Sequence, residues 1–447
     1  EDGIFLFYTT GNGTPIHYQS DGQLITRWDS KGAASGSAHK FTYLGSTYDL
    51  AKLTDAHIEA VSALYTSATA NAKYVGVEIG SGLGQYTGDK EAFITAFANA
   101  QAFQSKTVLE VAAMNVADIT AITTALTESA ATFKLNMPTA GFYRVKSMNG
   151  NDAAKKGKYW QSKEDVSGME LAAEMDGARS IIYLGEDNTI TSYGCGYALN
   201  KYDAIDAAGT AGTAWTIAEN AQVAGAYALF RNGDGYCLSD WTGSATYGQN
   251  DANAAWMFEE VTELPVTISA AGYATLYAPV ALTLPEEGLK AYIVSAQSET
   301  SATLEEVEGI LPASTGVVLA GEANTYNLTV AEPATAIEGN KLHGTVAASY
   351  VTEDAYVLGL IEGEVGFYTA AMNQNEGTAF LNNGFKAYLP KTGVAPTLRF
   401  NFGGTTAIES VVNGINANAA IYDLSGRRVE KATKGIYIVN GKKMIVK

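Results

Sequence analysis

The sequence predicts a multidomain, mainly β chain, and three observations predict it. The first is a repeat. Gly157-Lys158-Tyr159-Trp160, Gly196-Tyr197-Ala198-Leu199 and Gly235-Tyr236-Cys237-Leu238 begin 39 residues apart, twice over, and self-similarity at such a period marks an array of small supersecondary units. The second is a change of hydrophobic period, from three-and-four spacing over residues 48–136 to alternation from residue 264 onward. The third is composition. The 447 residues include 26 Tyr and 46 Gly against only 9 Pro, a balance that suits strands and turns. The length suggests about three domains. With 47% apolar and 17% charged residues, disorder is not expected. The net charge of -18 argues against a nucleic-acid binder, which needs a basic footprint to displace counterions from phosphates. No run of 18 apolar residues occurs, so no membrane-spanning helix is expected.

Residues 1–47 read as a single β lobe. Phe5-Leu6-Phe7-Tyr8 forms an opening strand, Asn12-Gly13 a turn and Lys40-Phe41-Thr42-Tyr43-Leu44 a closing strand. One lobe cannot bury a core by itself, and the chain opens without an initiator Met or a signal sequence, so the expectation is a fragment of a longer parent. Residues 48–136 predict a three-helix bundle acting as a spacer. Thr54 caps a helix carrying Ile58, Val61, Leu64 and Tyr65; Thr87 or Asp89 caps one carrying Phe93, Phe97 and Ala100; Asn115 with Asp118 opens one carrying Ile119, Ile122 and Leu126. Gly80-Ser81-Gly82-Leu83-Gly84 lacks the spacing of a phosphate-binding loop and reads as an interhelix turn.

Residues 137–263 hold the repeat. Each lobe starts a strand with Gly and ends it with a large apolar residue, and two lobes close with Trp215-Thr216-Ile217 and Trp256-Met257-Phe258; the first has Ser180-Ile181-Ile182 in that place. Units of about 40 residues cannot bury their own cores, but three around an axis can, which is the β-trefoil. The Gly-led strand and closing Trp resemble ricin-type β-trefoil lectin domains over about 120 residues, without the Gln that usually precedes the Trp. Trp160, Trp215 and Trp256 are expected in the core.

From Leu264-Pro265 the chain alternates. Candidate strands are 266–269, 273–277, 291–294, 316–319, 326–330, 355–360, 365–368, 385–389 and 398–402, which fit an antiparallel β-sandwich over residues 264–404. The strings Gly272–Pro279 and Leu311–Leu319 resemble β-modules of secreted Bacteroidota proteins. Residues 405–447 form a short β module whose last 27 residues carry seven Lys and Arg against two acids, a change of sign from the acidic remainder. Ile421-Tyr422-Asp423-Leu424-Ser425-Gly426-Arg427-Arg428-Val429 and Lys434-Gly435-Ile436-Tyr437-Ile438-Val439-Asn440-Gly441-Lys442-Lys443 resemble the C-terminal sorting domain of type IX secretion cargo. That resemblance implies the outer-membrane secretion machinery as a partner, and an extracellular or outer-membrane location in a Gram-negative bacterium.

No catalytic constellation is legible. The four His (His17, His39, His57, His343) are too far apart for a zinc motif, neither Cys belongs to a Cys-x-x-Cys pair, and no Gly-x-Ser-x-Gly elbow occurs. No catalytic residue, metal ligand or cofactor is nominated. Cys195 and Cys237 occupy non-equivalent repeat positions, and geometry decides whether they bridge.

The ricin-like resemblance implies a carbohydrate ligand, held by an aromatic face and polar groups in a shallow pocket of each lobe. Aligning the repeats places Lys163, Tyr202 and Trp241 at one position and Ser162, Lys201 and Asp240 at the one before. The third lobe is best equipped, with Asp240, Trp241, Tyr247, Asn250 and Asn253; the second offers Asn200, Tyr202 and Asp203. The leading reading is a non-catalytic, glycan-binding region of an exported surface protein. Its alternatives are a stalk or adhesin without glycan binding, and the accessory region of a glycoside hydrolase whose catalytic domain lies upstream of Glu1.

Overall fold

The structure is a computed structural model that describes residues 53–200, 212–231, 235–240 and 246–402, together with the strand residues 17–18, 24–25, 421–423, 428–429, 435–439 and 442–446. The opening and closing strands expected at 5–8 and 40–44 lie outside the described residues; between them, β1 (His17–Tyr18) and β2 (Leu24–Ile25) pair antiparallel. The chain divides into two compact units. One takes Glu1–Ala70 and Ile94–Glu128, the other Asn71–Phe93 and Ser129–Lys447.

Helices dominate the described part of the first unit. Helix α1 (Asp55–Asn71) starts after Thr54, whose hydroxyl accepts the His57 N–H at 3.4 Å. After β3 (Tyr86–Thr87), Asp89 caps α2 (Lys90–Phe103) by accepting the Ala92 N–H at 2.9 Å. Helix α3 (Val108–Ala113) has a full capping box. Thr107 accepts the Glu110 N–H at 3.3 Å, and the Glu110 carboxylate accepts the Thr107 N–H at 2.7 Å. Helix α4 (Val116–Ala131) follows Asn115. Four helices thus stand where three are expected. The extra one, α3, spans less than two turns, too short to show a period.

The buried stripe of α1 also differs from expectation. It runs through His57, Leu64 and Ala68, while Ile58 is 56% and Tyr65 39% exposed. His57 is drawn inward by two hydrogen bonds, Nδ1 to the Thr54 hydroxyl at 2.8 Å and Nε2 to the Met114 carbonyl at 3.0 Å. Its neighbour is thereby turned outward, since successive helical residues point about 100° apart.

The second unit opens with an arm. Strand β3 pairs with β4 (Lys134–Leu135), and Tyr74, Tyr86, Phe93 and Phe133 cluster beside them, Phe133 lying 5.1 Å from Tyr74 and 5.2 Å from Phe93 between ring centres. A barrel-like ring follows. Its members are β5 (Gly141–Ser147), β8 (Ile182–Leu184), β9 (Ile190–Ser192), β10 (Trp215–Glu219), β11 (Tyr227–Arg231) and β14 (Trp256–Glu260). Strand β5 pairs antiparallel with both β8 and β14, β8 with β9, β10 with β11, and β11 with β14. A bridge from Thr189 to Ala214 joins β9 to β10 and closes the ring. Two hairpins hang from it: β6 (Tyr159–Ser162) with β7 (Met169–Ala172) on β5, and β12 (Cys237–Ser239) with β13 (Thr246–Gly248) on β11.

The repeat has a conformational cause. Gly157, Gly196 and Gly235 adopt φ of +91°, +76° and +73°, left-handed values that residues with a Cβ rarely adopt. The residue three positions on, Trp160, Leu199 or Leu238, is fully buried each time. Trp215 and Trp256 are buried as well, and Trp160 meets Trp215 edge to face at 6.3 Å.

The next region has β15 (Glu263–Ile268), β16 (Tyr273–Ala278), β17 (Leu282–Thr283), β18 (Leu289–Gln297), β19 (Ser301–Val307), β20 (Ile310–Leu311), β21 (Thr315–Gly321) and β22 (Asn324–Val330). It continues with β23 (His343–Thr345), β24 (Ser349–Val351), β25 (Ala355–Ile361), β26 (Glu364–Thr369), β27 (Phe380–Asn382), β28 (Lys386–Pro390) and β29 (Thr397–Phe402). All nine candidate strands fall on observed ones. Sheet order is β15-β22-β17-β20 in one sheet and β16-β21-β18-β19-β29-β26-β25-β28-β23 in the other, with β24 and β27 pairing separately. The central strands are buried on both faces. Ala291, Ile293, Val317 and Leu319 face one core, while Tyr292, Val294 and Val318 face another with Tyr356, Phe367 and Leu389.

One pair departs from the antiparallel expectation: β19 and β29 run parallel, from Ser301–Arg399 to Leu304–Phe402. More than 90 residues separate their starts, so no hairpin turn forces the antiparallel sense. The first of the two cores also takes in Phe142 and Ile181 from the barrel segment, so the expected boundary at 263/264 runs through shared packing. At the C-terminus β30 (Ile421–Asp423), β31 (Arg428–Val429), β32 (Gly435–Val439) and β33 (Lys442–Val446) form an antiparallel sheet ordered β31-β30-β32-β33.

Candidate functional site

Of the residues nominated in the third lobe, Asp240, Asn250 and Asn253 are held by hydrogen bonds within the protein. Asp240 follows β12 and is fully buried. Its two carboxylate oxygens accept from the Ser147 hydroxyl and the Asn149 amide, and its N–H donates to the Asn253 carbonyl at 3.1 Å. Asn149 in turn shapes its own loop, its Oδ1 accepting the Asn151 and Asp152 N–H groups at 2.8 and 2.9 Å. Burying a carboxylate is costly unless its oxygens are bonded, and here β5 and the loop after it supply the donors.

Asn253 extends the same network. It lies 3.4 Å from Asn149 through its Oδ1, while its N–H and side-chain amide donate to the Asp251 carboxylate at 2.8 and 3.3 Å. Asn250 is half-buried, and its Oδ1 accepts the Asn220 amide at 3.1 Å and the Ala221 N–H at 3.0 Å. Asn220, wholly buried, also donates to the carbonyls of Asp251 and Ala254 and accepts the Gln222 and Val223 N–H groups. Tyr247 is half-buried on β13, its ring stacked on Trp215 at 6.4 Å. Asn200 is half-buried just after Leu199. Tyr202, Asp203 and Trp241 lie outside the described residues. The structure therefore brings Asp240, Asn250 and Asn253 together, through Asn149 and Asn220.

Repeat alignment also paired Ser162 with Asp240. Both are buried, at 1% and 0% exposure, so this register position holds a polar side chain inside the protein in both lobes. Below Ser162, Arg179 donates to its carbonyl at 2.7 Å and binds Glu164, Glu170 and Asp176 at 3.2, 2.6 and 2.6 Å.

A second polar cluster docks the arm on the barrel. The Glu219 carboxylate meets Lys73 at 2.8 Å and accepts the hydroxyls of Tyr86 at 2.9 Å and Tyr74 at 3.4 Å. Burial, and then the Glu219 charge, pushes Tyr74 up to about 12, and the same causes raise Tyr86. Tyr86 also accepts the Gly225 N–H at 2.9 Å, and Tyr227 accepts that of Gly84 at 2.9 Å. The glycine-rich run expected to be an interhelix turn is this docking loop. Asn136 holds it through the carbonyls of Gly80 and Gly82 at 2.8 and 3.0 Å. Gly225 and Gly84 touch closely enough that a Cβ on Gly225 would lie 2.7 Å from the Gly84 carbonyl oxygen.

Cys195 and Cys237 are both free thiols. Burial pushes the Cys237 thiol up to about 12, with the Asp251 charge adding to it. Among the described residues no three His, Cys, Asp or Glu side chains converge as metal ligands, and no helix is long and apolar enough to cross a membrane. Compared with known proteins, the sequence matches no family and no curated protein.

Sequence reasoning missed Ser147, Asn149, Asn220 and Tyr86. The signal available for the two Asn was local: each precedes backbone N–H groups that an Asx turn would use.

Proposed function

We propose that this chain is a non-catalytic region of an exported bacterial surface protein, built on a β-trefoil of the ricin-like type and ending in a type IX sorting module. The observation that carries the trefoil reading is threefold: Gly157, Gly196 and Gly235, evenly spaced, share one left-handed backbone state and each leads to a fully buried apolar residue. Three equivalent turns at one period are what a pseudo-threefold barrel requires. The four-stranded terminal sheet and its Lys- and Arg-rich sequence support the sorting reading, which places the protein outside the cell or on the outer membrane.

Within this reading the ligand is a glycan, and its recognition centres on Trp241. Asp240 and Asn253 serve the barrel by holding β12 to β5, so the aromatic ring next to Asp240 is left as the residue with the chemistry to stack on a sugar. A glycan array probed with the full chain and with Trp241→Ala tests this. Specific binding lost in the variant is expected. Binding to no glycan, or binding unchanged by the substitution, would overturn it.

The stalk reading is favoured by a separate observation, that Asp240, Asn250 and Asn253 are all engaged within the protein. The same array decides between the two.

A further inference from the structure

The shared core of barrel and sandwich is closed by one unusual residue. Phe385 sits at φ +58° and is 3% exposed. A bulky side chain in the left-handed region is a conformational outlier, and such residues persist only where their surroundings over-determine them. The surroundings here come from both sides. The backbone of Phe385 belongs to the sandwich: its N–H donates to the Thr345 carbonyl at 2.7 Å, and its carbonyl accepts the Tyr277 N–H at 2.9 Å. Its ring lies in the core that both share and carries the barrel's aromatic contacts, with centres 5.0 Å from Tyr193, 5.7 Å from Phe142 and 6.4 Å from Tyr183.

Two further contacts lie beside it. Gly384 packs backbone to backbone against Gly196, where a Cβ on Gly196 would lie 2.9 Å from the Gly384 nitrogen. The Gly196 carbonyl accepts the Ala348 N–H at 2.6 Å. The repeat glycine of the second lobe is thus also one of the points at which the sandwich touches the barrel. A third link runs from the Tyr193 hydroxyl to the Pro265 carbonyl at 3.0 Å.

We infer that the turn Asn383-Gly384-Phe385 is a clasp that makes the barrel and the sandwich one cooperative unit, so that the barrel holds its fold only with the sandwich turn inserted. For a surface protein the consequence is mechanical: the two modules respond to load or to protease as a single body. The strained backbone at Phe385 is retained because the ring it delivers completes the barrel's aromatic cluster.

The test uses the full chain carrying Trp28→Phe and Trp241→Phe. The remaining indoles, Trp160, Trp215 and Trp256, are then all buried barrel residues, and residues 264–402 contain no Trp. Indole fluorescence reports the barrel, and hydrogen exchange of β18 and β21 reports the sandwich. In urea the two midpoints are expected to coincide. Phe385→Asn removes the ring while easing the left-handed backbone, which Asn tolerates. It is expected to lower the barrel midpoint by about 1 M and the sandwich midpoint by less, so that the two transitions separate. Phe385→Leu, which keeps an apolar side chain, gives the same separation in smaller measure and serves if the first variant does not fold. Two separate transitions in the unsubstituted background, or a barrel midpoint unchanged by either variant, would overturn the clasp.

Discussion

Where the arm meets the barrel, Glu219 gathers Lys73, Tyr74 and Tyr86, and the hydroxyls of Tyr86 and Tyr227 take the N–H groups of Gly225 and Gly84. Where the barrel meets the sheets of residues 263–402, Phe142, Tyr183, Tyr193 and Phe385 pack ring against ring, with the side-chain hydrogen bond of Tyr193 to Pro265 among them. The first seam is directional and the second is volumetric. A directional seam loses stability when a partner is left unpaired, and a volumetric one when space is left unfilled.

Two substitutions sharpen that contrast. Phe142→Ala should have the larger effect, destabilising the second unit by about 4 kcal/mol through the cavity it leaves. Phe142→Leu should recover most of this loss, because volume is what the seam needs. Chemical denaturation of the pair reads both values. Equal losses in Ala and Leu variants would break the volumetric account. Tyr86→Phe should cost less, about 2 kcal/mol, although it changes almost no volume. It leaves the buried Gly225 N–H without its acceptor and removes a donor from Glu219. A loss near zero would mean that water replaces the hydroxyl and that the seam is not directional.

The two seams also differ in how far they could be read in advance. The alternation that marks β15 to β29 is a local pattern, and all nine predicted strands overlap observed ones, seven of them wholly and 266–269 and 385–389 with one residue to spare at an end. The start signals at Thr54, Asp89 and Asn115 are likewise local, and helices begin directly after each. Thr107-x-x-Glu110 was a legible capping box as well, but six residues of helix are too few to show a period. The repeat was legible because its three turns are left-handed, a backbone state that glycine adopts without the penalty a Cβ brings.

What was not legible depends on partners remote in sequence. Asp240 reads as a ligand because it is an acid beside a Trp, and only the fold brings Ser147 and Asn149 to it from some 90 residues away. Phe385 reads as a strand residue, and nothing local says that its ring reaches Phe142 and Tyr193. His57 overturned the expected face of α1 for the same reason, through a carbonyl 57 residues on.

The measurement that tests this account most directly is thermal unfolding of Asp240→Ala in the full chain, read together with its glycan binding. The side chain is buried and engaged by Ser147 and Asn149. Its removal strands two donors, so a fall in Tm of about 8 °C is expected. An unchanged Tm accompanied by loss of glycan binding would contradict the account and return Asp240 to the ligand site.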